Sequence, residues 1–492
     1  MLFNSYNFMF FFPIVVFFYF LFPPRARYLW LLVASYFFYM SWNPKYATLI
    51  LTSTGLTYGA ARVMERWPQY KKWLLVASLS VNFALLLFFK YFTFLLDNLN
   101  RLLALLHITL LTKPFDVLLP VGISFYTFQA VGYLIDVYRG EILAERNFFR
   151  YALFVSFFPQ LVAGPIERSK NLLPQMYQIE NIHIWNYERI TQGLVLMLWG
   201  FFMKMVIADR AAIFVDRVYD WYWMYGSVEC ILAAILFSMQ IYCDFAGYSM
   251  IALGAAQVMG IHLTENFDVP YLATSVRDFW RRWHISLSAW FRDYLYIPLG
   301  GSRTTRFRKY VNLLITFLVS GLWHGASWCF VFWGGLHGVF LILEDIFGSR
   351  WGRFIQSIGM KTTGIGYRFW QIIMTFSLVT FAWIFFRMHS LRNSLRFIHK
   401  IFADWNPWIL FDDSIYRISL SRMEWGILIV AIFVLFLGDL IKYTQGITIE
   451  RFLHEECLPF RWLVLLVLFF SIAVFGIYGP GFDPKQFIYF QF

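Results

Sequence analysis

The chain has 492 residues, 60% of them hydrophobic, 22% aromatic and only 14% charged, with a mean hydropathy of +0.58. Soluble domains run about 45–50% apolar and about 25% charged, so a departure in both directions excludes a soluble globular protein and puts the chain in a lipid bilayer. The formal net charge of +12 is spread over short loops between apolar runs, which positive-inside orientation explains without nucleic acid; a basic segment could also attract an anionic substrate.

The first apolar run, Phe8–Phe22, has no basic segment before it and no small-residue cleavage site after it, so it reads as a retained membrane helix. Further runs follow at Tyr28–Trp42, Tyr46–Ala61, Trp73–Phe89, Tyr91–Leu106, Asp116–Ile135, Tyr151–Ile166, Ile190–Ala208 and Val228–Tyr248. The later ones are Val311–Trp323, Trp328–Leu343, Phe369–Phe386, Trp425–Ile441 and Trp462–Gly479. A straight span needs about 20 residues, and several runs are shorter. The expectation is an all-α polytopic transmembrane bundle of about 11 spans with re-entrant and interfacial helices. With no repeat and no linker, 1–492 reads as a single membrane-embedded domain.

One feature resists this count. The basic loop of Arg62, Arg66, Lys71 and Lys72 is separated by three apolar runs from that of Arg139, Arg146 and Arg150. Three crossings would set the two loops on opposite faces, so either one run is re-entrant or the positive-inside rule fails. The cysteines, Cys230, Cys243, Cys329 and Cys457, lack CxxC spacing and read as small hydrophobes.

Polar residues inside apolar runs are the candidates for chemistry. Lys204, in Gly200-Phe-Phe-Met-Lys204, reads as snorkelling to the interface. Asp244 could orient a histidine or arginine, or be an internally paired carboxylate. As a helix, Arg277–Tyr296 would put Arg277, Arg281, His284 and Ser288 on one face and Phe279, Trp283, Leu287, Trp290 and Tyr294 on another. An interfacial amphipathic helix explains that pattern, but not why His284, Ser286 and Ser288 stand among arginines. After the turn Pro298-Leu-Gly-Gly-Ser302 come Arg303, Arg306, Arg308 and Lys309, either the anchor of the next span or a landing surface for donor phosphates.

That span ends at His324, flanked by Gly321 and Gly325, which would let backbone or substrate approach the ring. An ionisable side chain inside a membrane segment costs roughly 2.5–3.5 kcal/mol when fully charged, and it is a functional hypothesis by default. Neutral imidazole costs less and can accept a proton. His337, 13 residues on, reads as structural, and His454-Glu-Glu lacks the second histidine of HExxH, so no metal is expected. A neutral histidine that takes a hydroxyl proton, beside a second donor, suits acyl transfer, though it does not exclude a proton-coupled transporter.

The stretches 278–302 (DFWRRWHISLSAWFRDYLYIPLGGS) and 320–328 (SGLWHGASW) resemble the signature regions of the membrane-bound O-acyltransferase family, in its alginate O-acetylation branch. The likeness extends to the N-terminal MLFNS, to 120–140 (PVGISFYTFQAVGYLIDVYRG), to 157–168 (FFPQLVAGPIER) and to 483–492 (DPKQFIYFQF). The resemblance implies a bundle around a funnel or tunnel, with His324 as general base, His284 as its polar partner and the catalytic region within about 240–340. It implies transfer of acetyl from acetyl-CoA, a substrate rather than a bound cofactor, across the bacterial cytoplasmic (inner) membrane. An exported SGNH-type partner would then place the acetyl on a polysaccharide such as alginate. Donor or substrate candidates are Arg281, Arg282, Trp323, Asp244, Ser286, Arg306, Arg308 and Lys309; for the basic residues this is an inference from charge. Peptidoglycan O-acetylation and D-alanyl transfer to teichoic acid are alternatives within the family. Outside it stands a polysaccharide or lipid exporter, disfavoured by the lack of a nucleotide-binding motif or repeat. One departure is Met250 in Gly247-Tyr-Ser-Met250, where the branch often carries Asp.

Overall fold

The computed structural model describes residues 1–111, 120–161, 164–357, 361, 362 and 364–478. Residues 116–119 of the predicted Asp116–Ile135 run, Val162 and Ala163 of the 157–168 stretch, Gly479, and the 483–492 stretch lie outside them. Among the described residues all regular elements are helical, and an isolated bridge joins Phe267 to Trp283. Seven helices among the described residues are long and apolar enough to cross a membrane: Pro68–Leu105, Tyr187–Asp220, Ser227–Val258, Trp328–Ser357, Ile365–Arg387, Arg422–Gln445 and Leu458–Phe475. The protein is an all-α, multi-pass membrane protein. Protein covers 78% of the apolar window of Ser227–Val258 but 6% of that of Leu458–Phe475, so the first is a core helix and the second faces lipid.

The chain forms two compact units, Met1–Leu194 with Ala252–Thr264, and Val195–Ile251 with Glu265–Phe492. In the first, the predicted runs Trp73–Phe89 and Tyr91–Leu106 are one continuous helix rather than two elements. No Pro or Gly separates them, and Lys90, which divides them on a hydropathy scale, is a good helix former. A π-helical turn at Leu87–Tyr91 absorbs the irregularity. The two basic loops consequently meet at one end of this unit. Tyr58 Oη donates to the Arg146 carbonyl at 2.7 Å, and Lys71 Nζ lies 5.2 Å from the Tyr138 ring. Among the described residues two helices, Pro68–Leu105 and Ile123–Arg139, lie between them, an even number that fits the positive-inside rule.

In the second unit the site rests on a hairpin of Arg306–His324 and Trp328–Ser357. Its helices touch backbone to backbone. A Cβ on Gly321 would stand 2.2 Å from the Phe330 carbonyl oxygen, and one on Gly334 2.2 Å from that of Phe317. A Cβ on Gly325 would strike the Phe330 ring, also at 2.2 Å. The glycines around His324 therefore close the hairpin: of the two approaches they were expected to allow, backbone or substrate, the structure shows that of the facing helix.

Lys204 also departs from expectation. It is 1% exposed, within a π-helical turn at Phe202–Ala208, and its Nζ lies 2.7 Å from Asp209 and 2.5 Å from Asp244. A lysine that can reach two buried carboxylates need not snorkel, because they compensate its desolvation locally. Asp244 is thus a paired carboxylate with a lysine partner, the second of the two roles open to it.

Candidate active site

Arg277–Tyr296 is not the single helix its periodicity predicts. Val276–Arg282 starts on the Ser275 cap, whose Oγ accepts from the Asp278 amide. It stops at Trp283, and His284 takes φ 44° and ψ 54°, the left-handed region. A second short helix, Ile285–Phe291, follows, and then a π-helical turn at Arg292–Tyr296.

The break has a cause 18 positions upstream. Asp268 N–H donates to the Arg282 carbonyl at 2.9 Å, and Ile285 N–H donates to the Asn266 carbonyl at 3.0 Å. Asn266 Oδ1 also accepts from Ser286, from its amide at 3.3 Å and its hydroxyl at 2.7 Å. Backbone groups that a continuous helix would use internally are taken by residues 266–268. A left-handed non-glycine residue costs on the order of 1–3 kcal/mol, and such strain collects at functional sites. The result turns His284 inward, fully buried, while Arg281 stays exposed.

His324, 5% exposed, is the last residue of its helix. Its ring lies 6.4 Å from that of His284, centroid to centroid, close enough for both to address one hydroxyl or carbonyl. Trp323 completes the group, 6.1 Å from His284 and 5.0 Å from His324. Phe245 stands edge-on behind His284 at 4.7 Å, while Trp333 and Phe386 back His324 at 5.1 and 5.5 Å. Burial lowers the His284 imidazole from 6.5 to about 3, so the ring is neutral at physiological pH and can accept a proton.

A cavity of about 180 Å³ is lined by Ser288, Phe291, Arg292 and Tyr296 on one side and Thr316 and Ser320 on the other; neither histidine lines it. Ser320 lies one turn before His324, and the Ser288 amide donates to the His284 carbonyl at 3.0 Å. A larger groove of about 580 Å³ is lined by apolar side chains such as Trp199, Val430 and Val467, and does not include either histidine.

The remaining sequence candidates divide. Arg282 is a strut: Nε donates to Asp278 at 2.9 Å, Nη1 donates to the Asp268 carbonyl at 3.3 Å, and the guanidinium lies 5.6 Å from the Tyr443 ring. Ser286 anchors the turn through Asn266. Lys309 pairs with Asp345 at 2.7 Å. Arg306 and Arg308 are exposed in the first turn of the Arg306–His324 helix, capped by Thr305. Met250 packs, partly buried, against the apolar core. Sequence reading missed Asn266, Phe245, Trp333 and Phe386. The last three had no signal beyond being aromatic, whereas Asn266 is a lone amide between Glu265 and Phe267 and acts on residues distant in sequence.

The sequence matches the membrane-bound O-acyltransferase (MBOAT) family over residues 141–390, which include both histidines. It is 35% identical to the "Probable alginate O-acetylase AlgI" of Pseudomonas putida, over 100% of both chains. It is 37% identical to the "Peptidoglycan O-acetyltransferase" of Helicobacter pylori, over 75% of this chain and 72% of that one. With the "Teichoic acid D-alanyltransferase" of Bacillus subtilis it shares 27% identity, over 56% of this chain and 70% of the other. A family match over half the chain and full-length likeness to an O-acetylase agree, and this multi-pass membrane protein is an O-acyltransferase of the MBOAT family.

Proposed function

We propose that the chain moves an acetyl group from acetyl-CoA, on the cytoplasmic side of the bacterial inner membrane, towards the hydroxyls of an extracellular polysaccharide such as alginate. The observation that carries the reading is the buried His284–His324 pair, with ring centroids 6.4 Å apart. His324 takes the proton of the acceptor hydroxyl as its oxygen attacks the thioester carbonyl. His284 and Trp323 orient the acceptor and the oxyanion. Collapse of the intermediate breaks the C–S bond, and the proton passes from His324 to the leaving thiolate.

The donor enters from the basic end of the Arg306–His324 helix. From Arg306 to His324 is about 27 Å at 1.5 Å per residue, so the donor must be extended, with a flexible thioester arm. Exposed Arg306 and Arg308, at a helix N-terminus, suit its phosphates. Arg281 is a weaker candidate, and Lys309 and Arg282 are already engaged by carboxylates. Full-length likeness to an alginate O-acetylase supports a polysaccharide as final acceptor. In this reading an exported SGNH-type partner hands the acetyl on. Likeness to a peptidoglycan O-acetyltransferase keeps that polymer as the second reading. The test is the O-acetyl ester content of exported polysaccharide and of peptidoglycan in cells carrying the wild type or His324→Ala. Loss from the polysaccharide alone supports the first reading, loss from peptidoglycan the second, and no loss from either contradicts both.

A further inference from the structure

We propose that His337 is a positioning residue for the histidine pair, holding the two halves of the site in register through a hydrogen bond from Trp280. The inference rests on reading His284 and His324 as the reacting pair. His337 is fully buried on the Trp328–Ser357 helix, and its Nδ1 is 3.2 Å from Trp280 Nε1. An indole nitrogen only donates, so Nδ1 is the acceptor and the ring proton sits on Nε2. The bond fixes the tautomer, and it joins two elements that carry different histidines.

Trp280 belongs to Val276–Arg282, the short helix whose end leads through Trp283 into the strained His284. On its other side the His337 ring meets Trp333 at 5.1 Å and 73°, and Trp333 in turn meets His324 at 5.1 Å and 88°. The circuit closes through Trp383, which stacks on Trp333 at 5.4 Å and meets Trp283 at 5.1 Å. His337 thus sits where the support of His284 and the support of His324 meet. An apolar core would pack these rings without a polar atom. A buried donor and acceptor satisfying each other instead define one relative placement of the helices, since any slip strands both.

Asparagine and glutamine separate the bond from bulk: Asn places an oxygen near the Nδ1 position, whereas Gln places it near Nε2. The experiment uses the full-length protein in nanodiscs, ¹⁵N-labelled at histidine, as wild type, His337→Asn, His337→Gln, His337→Phe, Trp280→Phe and the double variant Trp280→Phe with His337→Phe. Acetyl-CoA cleavage and the His284 and His324 ¹⁵N shifts are read on each. His337→Phe and His337→Gln should lower kcat by about tenfold or more with KM within about twofold, and should move the shifts. His337→Asn should restore both readouts towards wild type. The double variant should lose no more than either single one, as for one shared interaction. Wild-type kcat and shifts in His337→Phe would overturn the proposal, as would a His337→Asn as impaired as His337→Phe. If His337→Phe does not fold, Trp280→Phe against His337→Asn decides the same question. A folded wild type that cleaves no acetyl-CoA would count against the donor reading, while the shifts still decide the positioning role.

Discussion

The two histidines are held in opposite ways. His324 is placed by local, repetitive structure: it ends a regular 19-residue helix, and the adjoining hairpin is fixed by glycines within ten residues of it. His284 is placed by a distant residue against local preference, in a left-handed conformation clamped by Asn266. Losing the first ring leaves its backbone undisturbed, whereas losing the clamp on the second moves the ring itself. The spacing of the two rings thus rests on regular structure for one and on strain for the other.

The comparison is broken most severely at His324. His324→Ala should lower acyl transfer by about 10²–10⁴-fold, the range for general-base loss, with the melting transition of the detergent-purified protein little changed. An equal loss of melting temperature would mean that the residue is structural. Next in size is Asn266→Ala, which removes the acceptor of both Ser286 bonds. Stability should fall by about 1–3 kcal/mol and turnover should fall with it, although Asn266 does no chemistry. Calorimetry and turnover read together check it, and normal turnover in a destabilised protein would detach the clamp from the mechanism.

Backbone preference gives a smaller and sharper contrast. At position 284 glycine should be more stable than alanine by roughly 1 kcal/mol, because alanine carries the left-handed strain and glycine does not. At position 324, in a helix, the order should reverse by up to about 1 kcal/mol. Melting temperatures of the four variants settle the point; the same order at both sites would remove the strain from the account.

The pH response of His284 is spread over several pH units. Its imidazole is held down at about 3 in the folded protein against 6.5 for the free group. The unfolded chain therefore takes up a proton below 6.5 that the folded chain refuses. Stability is intact above pH 6.5 and declines as the pH falls towards 3. His284→Phe should flatten that limb, and a parallel decline in both proteins would assign it elsewhere. Arg306→Ala with Arg308→Ala is expected only to raise the KM for acetyl-CoA, and an unchanged KM would leave these residues as topology signals.

Much of this was legible from sequence for the same reason that His324 is simple to place. Composition put the chain in the bilayer, and the two signature stretches identified the family and pointed to both histidines. What stayed hidden is non-local. The Arg277–Tyr296 periodicity is the same whether the helix is whole or broken, because the residue that breaks it is Asn266. A lone Lys204 in an apolar run looks like a snorkelling side chain until Asp209 and Asp244 fold against it. Lys90 looks like a boundary between spans because hydropathy counts its charge, whereas the helix counts only its propensity. Gly321 and Gly325 stand out beside His324 in the sequence, but which of backbone or substrate they admit shows only once the facing helix is in place.

The central claim is that His324 performs the chemistry while His284 supports it. Its most direct test is cleavage of radiolabelled acetyl-CoA by the purified protein in nanodiscs, with and without a candidate exported partner, for the wild type, His324→Ala and His284→Ala. The account predicts thioester cleavage in the wild type, none above background in folded His324→Ala, and a strong reduction in His284→Ala. Wild-type cleavage by folded His324→Ala would contradict it.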